Sequence, residues 1–183
     1  ELGATRIISV NSVGTMKSHI PGSLVLLSDF LDFTKNRVST FFDNETVHVD
    51  MSQPYCPQIK THLFKSVTSR GINCFEGVYA CTEGPRFETK SEINMLSQFA
   101  DVVGMTGVPE VVLAKELDMC YASIGLVTNY ACGLSPKRLT ADEVIDVVDG
   151  VQNLLYDVIS DTISRLPEER NCSCTCTTYN ARI

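Results

Sequence analysis

Three stretches of this chain decide its fold: Cys81-Thr-Glu-Gly-Pro-Arg-Phe-Glu-Thr89, Ala100-Asp-Val-Val-Gly-Met-Thr-Gly-Val-Pro-Glu110 and Leu126-Val-Thr-Asn-Tyr-Ala131. Each carries an apolar, strand-like run that ends on a glycine or a small polar residue, and helical text separates one from the next. Strands alternating with helices make an α/β domain. In an open sheet of that class, ligand contacts gather at the carboxyl ends of the strands. The three ends bring an aromatic ring (Phe87), a carboxylate (Glu88), a Met-Thr pair (Met105, Thr106) and a carboxamide (Asn129) towards one pocket. Such groups suit a flat heteroaromatic ligand joined to a sugar and an anion.

Working outward, residues 6–10 read as a β-branched strand, 11–15 as a small-residue turn, and 23–30 as a second strand entered through Pro21-Gly22. Residues 32–57 are polar and aromatic without a period, which inside a compact domain marks a functional or interface segment. A helix is expected over 58–70, a strand over 73–82, a helix over 89–99 capped by Thr89 or Ser91, and a strand over 101–105. Pro109 suits the first turn of a helix over 110–117, and a buried strand follows over 120–128. Thr140-Ala-Asp-Glu143 is a capping box that opens the longest helix. There Val144, Val148, Val151, Leu155, Val158 and Thr162 keep the three-four spacing of one packed face, and Pro167 ends it. The expected architecture is one α/β domain over 1–166, a central mixed sheet flanked by helices, with a Cys-rich tail over 167–183.

Composition narrows the partners. A chain of 183 residues with 44% hydrophobic residues can bury one proper core. No apolar run approaches a membrane span and no charged-then-apolar leader is present, so no membrane partner is expected and a cytoplasmic location is. A net charge of −7 without a Lys/Arg patch argues against nucleic acid. Of the eight cysteines, Cys56, Cys74, Cys81, Cys120 and Cys132 are scattered and read as small core residues, while Cys172, Cys174 and Cys176 form an alternating tail. No C-x-x-C pair stands near a second pair or histidines, so the spacing predicts no metal. The tail cysteines read as structural, and in a protein from a hot environment they would form a strained C-x-C disulfide. Glu1 is not a methionine, and Leu2 to Val10 reads as a helix end running straight into a strand, so a preceding segment is expected.

The blocks EGPRFET, ADVVGMTGVPEVVLAKE and CYASIGLVTNY, with PGSLVLLSDFLDFTKNRVSTFFD upstream, resemble the trimeric purine nucleoside phosphorylase and methylthioadenosine phosphorylase family over nearly all of the chain to about Arg170. The resemblance implies the fold of that family, a homotrimer or dimer of trimers, no cofactor, and inorganic phosphate as co-substrate of a purine nucleoside. It implies phosphorolysis, in which phosphate displaces a purine from C1′ of a ribosyl or 5-methylthioribosyl group through a transition state stabilised by placement and fixed dipoles.

By resemblance, Asn11 and Ser12 offer backbone N–H groups to phosphate and Thr106 its hydroxyl. Met105 packs on the sugar, Phe87 stacks on the base, and Asn129 is the catalytic group at the purine N7 edge, with Tyr130 and Ala131 completing that wall. His48 matches a position that reaches into the neighbouring subunit's site. Members that take adenine carry an Asp-x-Asp pair where this chain has Asn129-Tyr130-Ala131, and lack Glu88. A carboxylate there accepts N1–H of a 6-oxopurine and faces the N1 lone pair of adenine, which points to methylthioinosine, inosine and guanosine. Ala141 stands where a histidine can meet the 5′-hydroxyl, leaving room for a methylthio tail. The family's first phosphate loop and its Arg-His pair fall before Glu1, so the competing expectation is an inactive remnant that serves as an assembly partner.

Overall fold

The computed structural model describes residues 2–136, 139–178 and 181–182. Among these residues are five strands, β1 (Arg6–Thr15), β2 (Leu24–Phe33), β3 (Cys74–Thr82), β4 (Val102–Gly104) and β5 (Cys120–Tyr130), and four helices, α1 (Pro57–Thr68), α2 (Lys90–Leu96), α3 (Gly107–Glu116) and α4 (Ala141–Arg165), alternating from β2 onward. A 3-10 turn, Ser173–Cys176, closes the list of regular elements. The sheet is mixed as expected, but it closes on itself in the order β1-β4-β3-β2-β5. β1 and β5 run parallel, as do β2, β3 and β4, and the two groups meet antiparallel at β1–β4 and β2–β5. The picture of an open sheet with every ligand contact at one set of strand ends is therefore corrected: the ends of β4 and β5 point in opposite directions.

Two glycines shape the sheet, one at its closing seam and one at a bulge. Gly125 lies opposite Val25 across the β2–β5 seam, and a Cβ on it would stand 2.4 Å from Val25 Cγ1. Glycine inside a strand marks such a close approach. Gly14 explains why residues 11–15 are strand and not turn. The β1–β5 register slips between Val13 and Gly14, so this glycine marks a bulge in a continuing strand.

Both faces of the closed sheet are buried. Along β2, Leu24 and Leu26 pack outward on Ile59, Leu63 and Val67 of α1 and on Leu155 and Val158 of α4, while Val25 and Leu27 pack inward with Val13, Tyr79, Val102, Tyr121 and Val127. That is the period-two alternation of a strand with two apolar sides. A third cluster seats α2 (Ile93, Leu96) on Ala80, Val103 and Ala131. The capping box of α2 is complete, with the Thr89 hydroxyl accepting from the Glu92 amide at 3.2 Å and Glu92 accepting from the Thr89 amide at 2.7 Å.

Described residues of the tail, which the sequence sets apart over 167–183, bond to the rest of the chain. Thr177 and Thr178 donate backbone N–H groups to Asp118 Oδ1 at 2.9 and 3.2 Å, and the Thr178 hydroxyl donates to Oδ2 at 2.7 Å. Arg6 reaches the Pro167 carbonyl at 2.7 Å.

Candidate active site

β1 is the floor of the site. It pairs with β4 only at Gly14↔Val103 and Thr15↔Val102, and beyond that the two strands separate. A cavity of about 310 Å³ opens along the gap, bordered by Ser12, Gly14, Phe87, Glu88, Met105, Thr106, Asn129 and Ala131. On the far side of β1, Gly14 pairs with Asn129 of β5. The strand therefore acts as a ruler: from Asn11, beside Thr106, to Gly14, beside Asn129, three residues span roughly 10 Å. The volume lies at the lower end of the roughly 300–1,000 Å³ of small-molecule sites.

The Thr106 end is a network of polar groups. The Thr106 hydroxyl donates to Asn11 Oδ1 at 3.0 Å, and Asn11 Nδ2 donates to Ser123 Oγ at 2.8 Å. The hydroxyl of buried Tyr79 accepts from the amides of Thr106 and Gly107 at 3.1 and 3.4 Å. Burial raises the Tyr79 phenol well above its usual range, so it stays a neutral partner of those amides. Gly107 is confined: a Cβ there would lie 3.1 Å from both Asn11 Nδ2 and Tyr79 Cε1. Thr106 precedes α3 but makes no capping bond, and Val108 breaks the helical geometry, so the regular helix starts at Pro109 as its residue type predicts.

At the other end, Glu88 is 7% exposed and its Oε1 accepts from the Thr82 hydroxyl at 2.6 Å, so a group at the tip of β3 aims the carboxylate. Asn129 is fixed through both ends of its amide. Oδ1 accepts from the Thr128 hydroxyl at 2.8 Å, and Nδ2 donates to the Tyr130 carbonyl at 2.9 Å, which leaves its second N–H. Gly14 makes room for that amide, because a Cβ on it would meet Asn129 Nδ2 at 3.0 Å. Arg37, from the irregular stretch after β2, clamps the backbone behind the site, donating to the carbonyls of Val108 (2.6 Å), Glu83 (2.9 Å) and Thr82 (3.2 Å). The roof is apolar. Thr140 caps α4, accepting from the Glu143 amide at 3.4 Å, and this turns Ala141, Val144 and Ile145 onto the cavity beside Leu139.

Of the residues singled out in the sequence, Ser12, Phe87, Glu88, Met105, Thr106, Asn129, Ala131 and Ala141 line this one cavity. Asn11 stands behind it, buried and bonded to Thr106. Asn11 and Ser12 belong to β1 rather than to a turn after it. Tyr130 faces an adjoining groove with Pro21, Glu143 and Val147. His48 is exposed in a separate groove with Phe42 and Val112, its backbone N–H bonded to the Ala181 carbonyl at 2.8 Å. Thr82, Tyr79, Arg37 and Thr128, which hold the lining groups, carry no motif. The partners of Tyr79 and Arg37 are backbone groups far along the chain, while the hydroxyls of Thr82, six residues before Glu88, and of Thr128, next to Asn129, are the signals that were available.

The model of the phosphorylase superfamily matches residues 1–164. The chain is 62% identical over 173 residues to a probable S-methyl-5′-thioinosine phosphorylase of Methanosarcina acetivorans, covering 94% of this chain and 67% of that protein. It is 49% identical over 178 residues to a probable 6-oxopurine nucleoside phosphorylase of Dictyoglomus turgidum, covering 94% and 68%. Among solved structures, the methylthioadenosine phosphorylase of Schistosoma mansoni in complex with adenine superposes with a TM-score of 0.92 at 26% identity, covering 99% of this chain and 74% of that one. The chain spans about two thirds of the length of the two sequence relatives. A closed mixed sheet with its cavity along β1, a family model over 1–164 and this level of identity place the chain in the phosphorylase superfamily.

Proposed function

We propose that this chain carries the nucleoside site of an enzyme that cleaves 6-oxopurine nucleosides with inorganic phosphate, releasing the base and the ribose or methylthioribose 1-phosphate. The observation that carries the reading is Glu88: a buried carboxylate with one oxygen held by Thr82, in the same cavity as Asn129. Its other oxygen accepts N1–H of hypoxanthine or guanine. Adenine would set a lone pair against it, and a site built round such a bond rejects the wrong analogue by roughly 10⁴-fold.

In this reading phosphate lies at the Thr106–Asn11–Ser12 end and the base at the Glu88–Asn129 end, with the ribose between them over Met105. Cleavage of the C1′–N9 bond puts negative charge on the purine. The free N–H of Asn129, fixed before the substrate arrives, meets that charge at N7, and one such donor is worth roughly 10²–10³ in rate. Phe87 stacks on the base. Ala141, Val144 and Ile145 offer the 5′ position an apolar surface, which favours a methylthio group by about 1–3 kcal/mol over a hydroxyl that finds no partner. The enzyme needs no cofactor in this scheme, and it works as a homotrimer or dimer of trimers, with His48 serving a neighbouring subunit's site.

The test is phosphate-dependent base release by the full-length protein from inosine, guanosine, adenosine and their 5′-methylthio analogues. Methylthioinosine is expected to give the highest kcat/KM, and adenosine-type substrates to trail by orders of magnitude. Equal use of adenine and hypoxanthine nucleosides would remove Glu88 from the reading.

A further inference from the structure

Four cysteines far apart in sequence meet at one point of the fold. Cys56 caps the start of α1, Cys120 opens β5, and Cys172 and Cys174 flank Ser173 in the 3-10 turn of the tail. Their sulfur atoms all lie within 4.8 Å of one another, and Cys120 Sγ stands 3.4 Å from Cys172 Sγ. Cys56, Cys120 and Cys174 are buried and Cys172 is half-buried. None of the four touches the catalytic cavity.

We propose that Cys56, Cys120, Cys172 and Cys174 form a tetrathiolate zinc site that fastens the C-terminal tail to the barrel.

The geometry is that of a tetrahedron. Zinc–sulfur bonds of about 2.3 Å set the sulfur atoms about 3.8 Å apart, and a cluster whose members all fall within 4.8 Å needs only small side-chain rotations to reach that figure. The ligand set is all sulfur, which selects zinc or another thiophilic ion over magnesium or calcium. Four protein ligands leave no open position, so the site is structural. Two ligands ride on rigid backbone: the Cys56 amide donates to the Tyr121 carbonyl at 2.7 Å, and the Cys120 amide donates to the Thr5 carbonyl at 3.0 Å. The other two come from the tail as a C-x-C chelate. Binding exchanges four thiol protons for one Zn²⁺, with no change of oxidation state, so the site forms under reducing conditions. The spacing hides it because the fold, and not a C-x-x-C knuckle, brings the pairs together.

The full-length protein, purified with reductant and without chelator, is expected to hold one zinc ion per chain by elemental analysis. A mercurial thiol reagent should release it only as four thiols are consumed. Replacing zinc by cobalt should give the thiolate-to-cobalt charge-transfer band and the ligand-field bands of a tetrahedral centre. Cys174→Ser should lose the metal and Cys176→Ser, whose exposed sulfur lies outside the cluster, should keep it. The measurements on the unaltered protein decide the matter if Cys174→Ser fails to fold. Four freely titrating thiols with neither zinc nor a cobalt spectrum would overturn the proposal. So would two disulfides among the four cysteines in protein kept under reductant.

Discussion

The cavity and the tail dock are built from the same kind of contact, a side chain gripping a turn, yet they leave different amounts of bonding capacity unused. At the dock, Asp118 accepts from the amides and hydroxyls of Thr177 and Thr178 through both of its oxygens, and the Arg170 guanidinium reaches its carbonyl at 2.9 Å. In the cavity, Thr82 engages only Oε1 of Glu88 among the described residues, and the Asn129 amide spends one of its two hydrogens. A group whose partners are complete contributes to stability. A group oriented by part of its bonds, with the rest aimed into a cavity, is prepared for a ligand. Changes in the cavity should thus alter turnover and spare folding, and changes at the dock should do the reverse.

The largest expected effect is on substrate choice. Glu88→Ser with Ala131→Asp removes the acceptor that adenine cannot satisfy and adds one elsewhere in the cavity lining. Of the roughly 10⁴-fold preference for 6-oxopurines, most should vanish. The check is the ratio of kcat/KM for methylthioinosine and methylthioadenosine, and an unaltered ratio would break the specificity argument.

Next comes Asn129→Ala, which should lower kcat by roughly 10²–10³ while costing the fold only about 1–2 kcal/mol for the Thr128 and Tyr130 groups it strands. Steady-state kinetics beside a denaturant curve measure both, and a kcat within twofold of the parent would take Asn129 out of the mechanism. Gly14→Ala sharpens the point by moving the amide without removing it. The new methyl would sit 3.0 Å from Asn129 Nδ2 and 3.3 Å from the Ala131 Cα, so the amide must move. A displacement of this kind costs up to about 10²-fold, expected in kcat more than in KM. Full activity in Gly14→Ala would mean that the position of that amide is not critical.

How much of this was legible follows from the range of each interaction. The helix of Val144, Leu155 and Val158 and the buried run of β5 show in the sequence because their signal is local periodicity. Phe87, Glu88, Met105, Thr106 and Asn129 stood out as polar or bulky groups closing apolar runs, and all of them line the cavity. Sheet closure was not legible, since it rests on Gly125 meeting Val25, two residues that nothing local connects. Residues 11–15 read as a turn because small residues and a glycine mark bulges and turns alike. Tyr79 and Arg37 act through bonds to backbone groups far along the chain, Thr82 through one hydroxyl six residues before Glu88, and the thiol cluster joins three separate regions of the chain.

The smallest predicted effect lies at the dock and is a matter of pH. Burial alone would raise the Asp118 carboxyl, but the hydrogen bonds from Thr178 and Thr177 outweigh it and hold the group below its ordinary value of 3.8. A carboxyl depressed in the folded state contributes stability that is fully present above the unfolded value and is lost as pH falls through the folded one. The tail should therefore loosen only in acid, from about the ordinary carboxylate range downward. Asp118→Asn is a clean probe, because the residue has a φ of 51° and asparagine tolerates the left-handed region at least as well as aspartate. Denaturant curves of the parent and of Asp118→Asn should differ by a constant amount near neutral pH, and the gap should close below the carboxylate range. Base release at neutral pH should be the same for both, since Asp118 lies outside the cavity lining. A gap that ignores pH would mean that shape, and not the carboxylate charge, holds the tail, and a loss of activity would tie the dock to the cavity after all.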